Sequence, residues 1–483
     1  MPVERQIYLL DPMTLPPETI AVAFARTSRS PQSFREIAAE LTEEKSAEFH
    51  EKWVVGYGHA SVAEHAVLHI AVENISRLAV ECLESNRLAS YTEKSTRYQK
   101  WSADAYHTPD ELDGHPLLGL YQDTLHLLFE TYLQMLEPVK QVVAARSPRR
   151  EGESEGAFDR RIRSDYVDVC RFLLPAAALA NVGLTINARA LEHALRKMLS
   201  HPLAEVRQVG QEMKEVAQAR VPTLIKYVGH VPYLESAERG LGELAAALPQ
   251  AAVGEDWCRL VGSDPQGEDK VLAAALYRFG GLGFSEALAH VRQAGQAERE
   301  RLAEILLGQR GQHDIPLREL EYAAYTLDLI IDQGGYFELK RHRMMTQTAQ
   351  PLSTLRGYAL PRAVAEAGMQ APYRAAMDAA HRAYTRIAAV LPHAAAYVVP
   401  NGYNRRVLLH TNLRSALHLV SLRGASNAHF SMRRAAQRIA AELRAASPLL
   451  GRYLTIETEE TWQSVECEHF AGTAEQPRGE DAL

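Results

Sequence analysis

Cysteine is scarce in this chain. The four that occur among 483 residues (Cys82, Cys170, Cys258, Cys467) are far apart, and none forms a CxxC pair. That pattern excludes a disulfide framework and a structural zinc site, and it fits a reduced, cytoplasmic setting. Long apolar runs are missing as well. No window approaches eighteen uninterrupted apolar residues, so no segment is expected to span a membrane. The opening MPVERQIYLL has no basic region followed by an apolar stretch, and no signal peptide is expected. An excess of positive charge is also absent. The net charge of -7 argues against general nucleic-acid binding, while leaving room for a local basic pocket. Three signatures fail in turn. There is no GxSxG for a serine hydrolase. Four residues separate His59 from Glu64, where the inverted zinc motif HxxEH has two between its His and Glu. FGGLGFSE, residues 279–286, follows no βαβ pattern and does not read as a dinucleotide fold.

What is present is an ordinary globular composition, 46% hydrophobic and 23% charged, in a chain long enough for two cores. SPRREGESEGAFDRR, residues 147–161, reads as a surface loop between helices. Residues 240–270, with Gly, Pro and acidic clusters and no sustained period, read as a connector between halves. The last residues, GTAEQPRGEDAL, read as a frayed tail.

The halves repeat each other. Pro175 is followed by Asn187, Arg189 and His193, and Pro400 by Asn412, Arg414 and His418, at identical spacing. FLLP matches YVVP, and TINARALEHAL matches HTNLRSALHLV, so the apolar frame agrees in kind. This points to a tandem duplication. In each copy the asparagine stands where a helix N-cap belongs. The following Arg leaves two readings open, a cap with solvated neighbours or an anion held at the helix start.

Polar chemistry concentrates in two further stretches. GHASVAEHAVLHIAVENISRLAVECLESNRLASYTEKSTRY, residues 58–98, places His59, Ser61, Glu64 and His65 before a largely apolar segment. That segment reads as a strand or a helix, and Ser76 caps the amphipathic helix after it. SYTEKSTRY then offers Ser90, Glu93, Ser95, Arg97 and Tyr98, hydroxyls with one Arg that would cradle a phosphate or carboxylate. His65, His69 and Glu73 would align as metal ligands on a helix, but on a strand they share a face with apolar neighbours, and no metal is expected. In the second half YFELKRHRMMTQT carries Arg341, His342 and Arg343 beside the apolar run YTLDLII. So much positive charge at the edge of a core is costly unless an anion meets it.

Taken together, GHASVAEH, ISR, SNRLASYTEKSTRY and RHRMMTQ resemble the flavin-dependent thymidylate synthases. That family's signature is R-H-R, a Ser three residues on, and S-x-R-Y; here it is shared between halves. The second half keeps Arg341, His342 and Arg343, with Thr346 at the Ser position, but Ser353 and Arg356 lie too late for S-x-R. The first half has Ser85, Asn86 and Arg87 where R-H-R belongs, yet it keeps Ser90, Ser95, Arg97 and Tyr98 in register. The repeated proline segment is similar to the family's A-R-x-x-L-P block followed by N-x-R.

The resemblance implies an α+β protein of two tandem thymidylate-synthase-complementing-like domains, each a sheet with packed helices. These would span residues 1–240, with an insertion at about 100–165, and 271–483, joined by a linker at 241–270. It implies FAD as cofactor, with methylenetetrahydrofolate and NADPH as co-substrates, and reductive methylation of dUMP to dTMP at composite sites between the halves. The flavin set it implies is His59, Ser61, Glu64, Arg341, His342, Arg343, Asn187, Arg189, Asn412, Arg414 and His418. The nucleotide set is Arg87, Glu93, Ser95, Arg97, Arg171 and Arg423, and the catalytic residues are Arg97, His342 and Arg423. Each half lacks what the other keeps: Arg171 has Ala396 as its counterpart, and Arg423 has Met198. The partners implied are a small-molecule nucleotide and a folate, without nucleic acid or membrane, in a homodimer that forms a pseudo-tetramer. The alternative is a degenerate flavin- or nucleotide-binding paralogue without methyl transfer.

Overall fold

The computed structural model describes residues 6, 8, 10–28, 30–248, 256–311, 313–456 and 458–473. The chain divides into two compact units. The first holds residues 1–94, 105–116 and 177–250, and the second 95–104, 117–176 and 251–483. This differs from a simple cut near residue 240. The helices Leu118–Arg146 and Glu155–Cys170, read from sequence as an insertion in the first domain, pack into the second unit. Their apolar stripe, including Tyr121, Leu128, Phe129, Tyr132, Ile162 and Tyr166, is buried there.

The first unit carries a three-stranded antiparallel sheet in the order β1-β3-β2, with β1 Val67–Ser76, β2 Ala89–Glu93 and β3 Leu179–Asn187. Strict alternation in β3 buries Ala180, Val182, Leu184 and Ile186. Both long strands end in a side chain that starts a helix. Ser76 Oγ accepts the Ala79 N–H at 3.0 Å, and Asn187 Oδ1 accepts the Ala190 N–H at 2.9 Å. The helices Arg77–Glu84 and Ala188–Leu199 follow.

The second unit repeats this plan with one strand added. Its sheet runs β4-β5-β8-β6, with β4 Cys258–Ser263, β5 Ala324–Asp332, β6 Thr346–Ala349 and β8 Asn404–Asn412. A separate pair joins β7 Ala359–Pro361 to β9 Phe470–Thr473. Here β5-β8-β6 corresponds to β1-β3-β2. Asp332 and Asn412 cap the helices Gln333–Leu339 and Leu413–Arg423, accepting from Gly335 at 2.8 Å and Ser415 at 2.9 Å. The stretch YTLDLII is β5: Tyr325, Leu327, Leu329 and Ile331 face the core, while Asp328 on the other face takes Arg406 at 2.8 Å. The two repeat prolines meet. Pro175 and Pro400 form an antiparallel bridge in the second unit, with the Ala176 N–H donating to Val399 O at 2.9 Å. Equivalent residues facing one another is the arrangement of an isologous contact, here within one chain.

Three local expectations are corrected. Residues 155–161 belong to the helix Glu155–Cys170, because Ser154 caps it at Ala157, so the loop is shorter than residues 147–161. The connector at 240–270 contains the end of the helix Pro232–Ala246 and all of β4, which pairs with β5; residues 249–255 lie outside the described residues. Of the expected tail, residues 474–483 also lie outside them, and 472–473 belong to β9. Residues 67–76 are a strand, so His69 and Glu73 share no helix face. His69 Nδ1 instead meets Thr185 Oγ1 across the sheet at 2.9 Å, and the second unit repeats the pair with sides exchanged, Thr326 with His410 at 2.9 Å. Among the described residues no helix is long and apolar enough to cross a membrane.

Candidate active site

The second unit gathers charged side chains from both sequence copies into one cluster. The capped helix Gln333–Leu339 is buried along its whole length, and a Cβ on Gly335 would lie 2.8 Å from Ile331 Cδ1. Only glycine permits that approach to β5, and it fixes where Glu338 and the following Arg341–Arg343 turn emerge. The helix capped by Asn412 ends at Arg423. The helix Glu155–Cys170 brings Asp168, and the turn after it brings Arg171.

These groups form a chain of contacts. Arg97 Nε donates to Asp168 Oδ1 and Oδ2 at 3.1 and 2.9 Å. Arg171 Nε lies 3.6 Å from Asp168 Oδ1, and its Nη1 donates to Thr96 Oγ1 at 3.1 Å. Glu338 links the copies, its Oε1 accepting from Arg171 Nη2 at 3.3 Å and its Oε2 from Arg423 Nη1 at 3.0 Å. Arg423 Nε then donates to His342 Nε2 at 3.1 Å. Asp168, Arg171 and Glu338 are 3%, 3% and 4% exposed, so these contacts are shielded from water and weakly screened.

Burial sets the protonation states. It pushes His342 down to about 3, with Arg423 and His418 pushing the same way, so its ring is a neutral acceptor at neutral pH. Burial moves the Asp168 carboxyl up to about 6, against the pull of Arg171 and Arg97. Burial would lower Arg97, but Asp168 and Glu338 outweigh it and hold the guanidinium above its ordinary value. His429, wholly buried beside Phe172 and Phe430, is held well below its ordinary value by burial, then by Arg171 and Arg97.

A separate cavity of about 830 Å³ lies in the first unit, lined by Phe24, Phe49, Trp53, His59 and His65 together with Ser28, Ser30, Ser61, Glu64, Arg26 and Lys45. Trp53 stacks on Tyr57 at 4.9 Å, and Phe24 lies 5.1 Å from the His65 ring. Aromatic walls with hydroxyls and cations suit a planar heteroaromatic group carrying anionic substituents.

The residues read from sequence are thus distributed. Ser95, Arg97, Arg171, His342 and Arg423 lie in the second unit, with Ser95 Oγ accepting the Arg97 N–H at 3.2 Å. Arg341 is exposed and Arg343 half-buried on the same turn. His418 is exposed, its ring 5.4 Å from that of His342. Arg414 is engaged away from the cluster, with Pro316 O at 3.0 Å and Glu321 at 3.2 Å. Asn187 and Asn412 spend their carbonyl oxygens on caps. In the first unit His59, Ser61 and Glu64 line the cavity, and Arg189 pairs with Glu64. Arg87 is exposed there. Glu93 is also in the first unit, its carboxylate 2.9 Å from the buried Arg77.

The first copy retains a worn form of the same design. Lys197 Nζ donates to Asn86 Oδ1 at 2.9 Å, as Arg423 does to His342, but Met198 is fully buried and apolar. Glu338, Asp168 and His429 were not among the residues singled out by motif. Their signals were faint: Glu338 precedes Arg341 by three residues where the first copy has Cys82, and Asp168 precedes Arg171 by one helical turn.

Two copies of one strand–cap–helix plan, with a buried cluster of arginines and carboxylates drawn from both, define a duplicated α+β protein. The chain belongs to the family described as "Thymidylate synthase complementing protein", which matches residues 9–223 and 259–449. It is 31% identical over 423 residues to the UPF0159 protein of Chlamydia muridarum, covering 84% of this chain and 80% of that one. It is 28% identical over 215 residues to the flavin-dependent thymidylate synthase of Clostridium tetani, covering 44% of this chain and 82% of the relative. A structure of the flavin-dependent thymidylate synthase ThyX from Helicobacter pylori, complexed with FAD and dUMP, aligns at a TM-score of 0.31 and 16% identity, over 40% of this chain and 97% of that one.

Proposed function

We propose that the chain is a flavin-dependent thymidylate synthase that methylates dUMP reductively, with methylenetetrahydrofolate as carbon donor and NADPH as reductant. The observation that carries this reading is the convergence of Arg97 and Arg171 from the first copy with His342 and Arg423 from the second. Each arginine is one whose counterpart in the other copy is lost, so selection for one composite pocket explains the pattern of loss. Membership of the family supports the reaction class.

In this reading Arg171 and Arg423, with Arg97 behind Asp168, receive the nucleotide phosphate, and forked guanidinium donors suit its oxygens. The Ser95 loop positions it. His342, neutral at working pH, accepts from Arg423 through Nε2 and holds it in place. The cavity in the first unit fits a flavin: His59, Ser61 and Glu64 line it, and its aromatic walls would hold the ring while Arg26 and Lys45 meet phosphate. The flavin would supply hydride, and the protein would keep the site dry and the two reactants fixed. Arg341, Arg343, Asn187, Arg189, Asn412, Arg414 and His418 complete the proposed flavin contacts. A homodimer would then present four family domains.

The purified protein should be yellow, with a flavin absorbance band, and should release tritium from 5-tritiated dUMP. A colourless protein that takes up no added FAD overturns the flavin assignment. A second reading, a binding protein without methyl transfer, is favoured by one feature: Asp168 and Glu338 already neutralise the arginines. A yellow protein that binds dUMP without releasing tritium would establish it.

A further inference from the structure

We propose that Glu338 is a resident counter-anion of the arginine pocket and the residue that sets how strongly the pocket takes a phosphate. The inference rests on reading the cluster as a nucleotide pocket. Its carboxylate bridges Arg171 and Arg423, one from each copy, at 3.3 and 3.0 Å, as two oxygens of a bound oxyanion would. It is 4% exposed, so the interaction is nearly unscreened. Asp168 occupies Arg97 in the same way, at 2.9 Å.

Charge counting makes the consequence concrete. Arg97, Arg171 and Arg423 against Asp168 and Glu338 leave a formal charge of +1. A phosphate dianion entering beside both carboxylates would reverse the sign of a water-poor cluster, which is strongly disfavoured. A phosphate can therefore engage Arg171 and Arg423 together only as Glu338 gives them up, so part of its binding energy is spent displacing an internal competitor. The first copy has Cys82 at the equivalent position and no arginine pair to neutralise, so the carboxylate accompanies the arginines. Asp168 meets Arg97 at 2.9 Å and Arg171 at 3.6 Å, both from the first copy. Glu338 is the group placed between the copies.

The test compares wild type with Glu338→Gln, titrating inorganic phosphate and, separately, dUMP by calorimetry, and following the melting temperature of each protein as phosphate is added. The substitution keeps the shape and removes the charge. It should lower Kd for phosphate at least tenfold, and phosphate should raise the melting temperature of the variant more than that of wild type. Equal affinities in the two proteins overturn the proposal. Weaker dUMP binding by E338Q also overturns it, since Glu338 would then be a ligand contact. If E338Q does not fold, Glu338→Asp is measured in its place; the shorter side chain releases one arginine and should tighten phosphate binding several-fold, and equal affinity again overturns the proposal. The two readings fail separately. Tighter phosphate binding with no dUMP binding in either protein removes the nucleotide assignment and leaves Glu338 as counter-anion. Equal dUMP binding in both does the reverse.

Discussion

Arg171 is the side chain on which both buried carboxylates converge, and its loss would show how closely stability and site are joined. Arg171→Met removes the cation between Asp168 and Glu338 while nearly preserving apolar volume. Removing one partner of a buried ion pair costs about 3–5 kcal/mol, because a charge remains without its counterpart. Chemical denaturation should register that loss, and dUMP binding should fall with it. His342 makes a different prediction, through pH. Its folded value of about 3 lies below the ordinary value of about 6.5, so on acidification the unfolded chain takes up the proton first. Stability is therefore lost as pH falls from about 6.5 towards 3, with a slope of up to about 1.4 kcal/mol per pH unit from this residue. His342→Gln lacks that proton. Its stability curve between pH 4 and 6 should be flatter than that of wild type by as much as one proton's worth, and equal slopes would refute a buried neutral ring. The R-H-R triplet was visible in the sequence as an oddity of charge. That the middle residue would be an uncharged acceptor for Arg423 was not, because protonation depends on burial supplied by distant segments.

At the level of elements the repeated device is a strand whose last side chain caps the next helix. The Asn187 and Asn412 caps were legible from spacing alone, since an N-cap is a local contact three residues long. Asn187→Ala and Asn412→Ala should each cost about 0.5–2 kcal/mol, read as a shifted denaturation midpoint at unchanged slope. Gly335 is the other element-level control. A methyl there meets Ile331 at 2.8 Å and Ser431 Cβ at 3.3 Å, so the helix carrying Glu338 must shift. Gly335→Ala should lose about 1–3 kcal/mol and weaken dUMP binding as well. A variant that loses stability but binds dUMP normally would show that helix placement does not control the cluster. The strand identity of residues 67–76 was the harder inference. His65, His69 and Glu73 fit a helical face as well as a strand, and the decision came from pairing with β3, a partner more than a hundred residues away.

On the scale of the whole molecule, the two units carry the two candidate ligand regions, and hydrogen exchange can assign them. dUMP should slow exchange in Gln333–Leu339 and Leu413–Arg423, and FAD should slow it around residues 53–65. Protection by dUMP confined to residues 53–65 would reverse the assignment. The duplication also explains how a chain with net charge -7 keeps several buried arginines. The carboxylates Asp168 and Glu338 travel with them, so the acidic balance and the basic pocket are parts of one arrangement.

The sequence by itself determined the duplication, the helix caps, the α+β class and the family, because each rests on local spacing or on motifs that survive as contiguous strings. It also showed that Arg171 and Arg423 are kept in opposite copies. Only the tertiary structure decided that these two arginines share one carboxylate, that Glu93 pairs with Arg77, and that residues 117–176 belong with the second unit. Charge pairing inside a core is settled by which segments are packed together and how far water is excluded. Neither quantity is written in the spacing of residues along the chain.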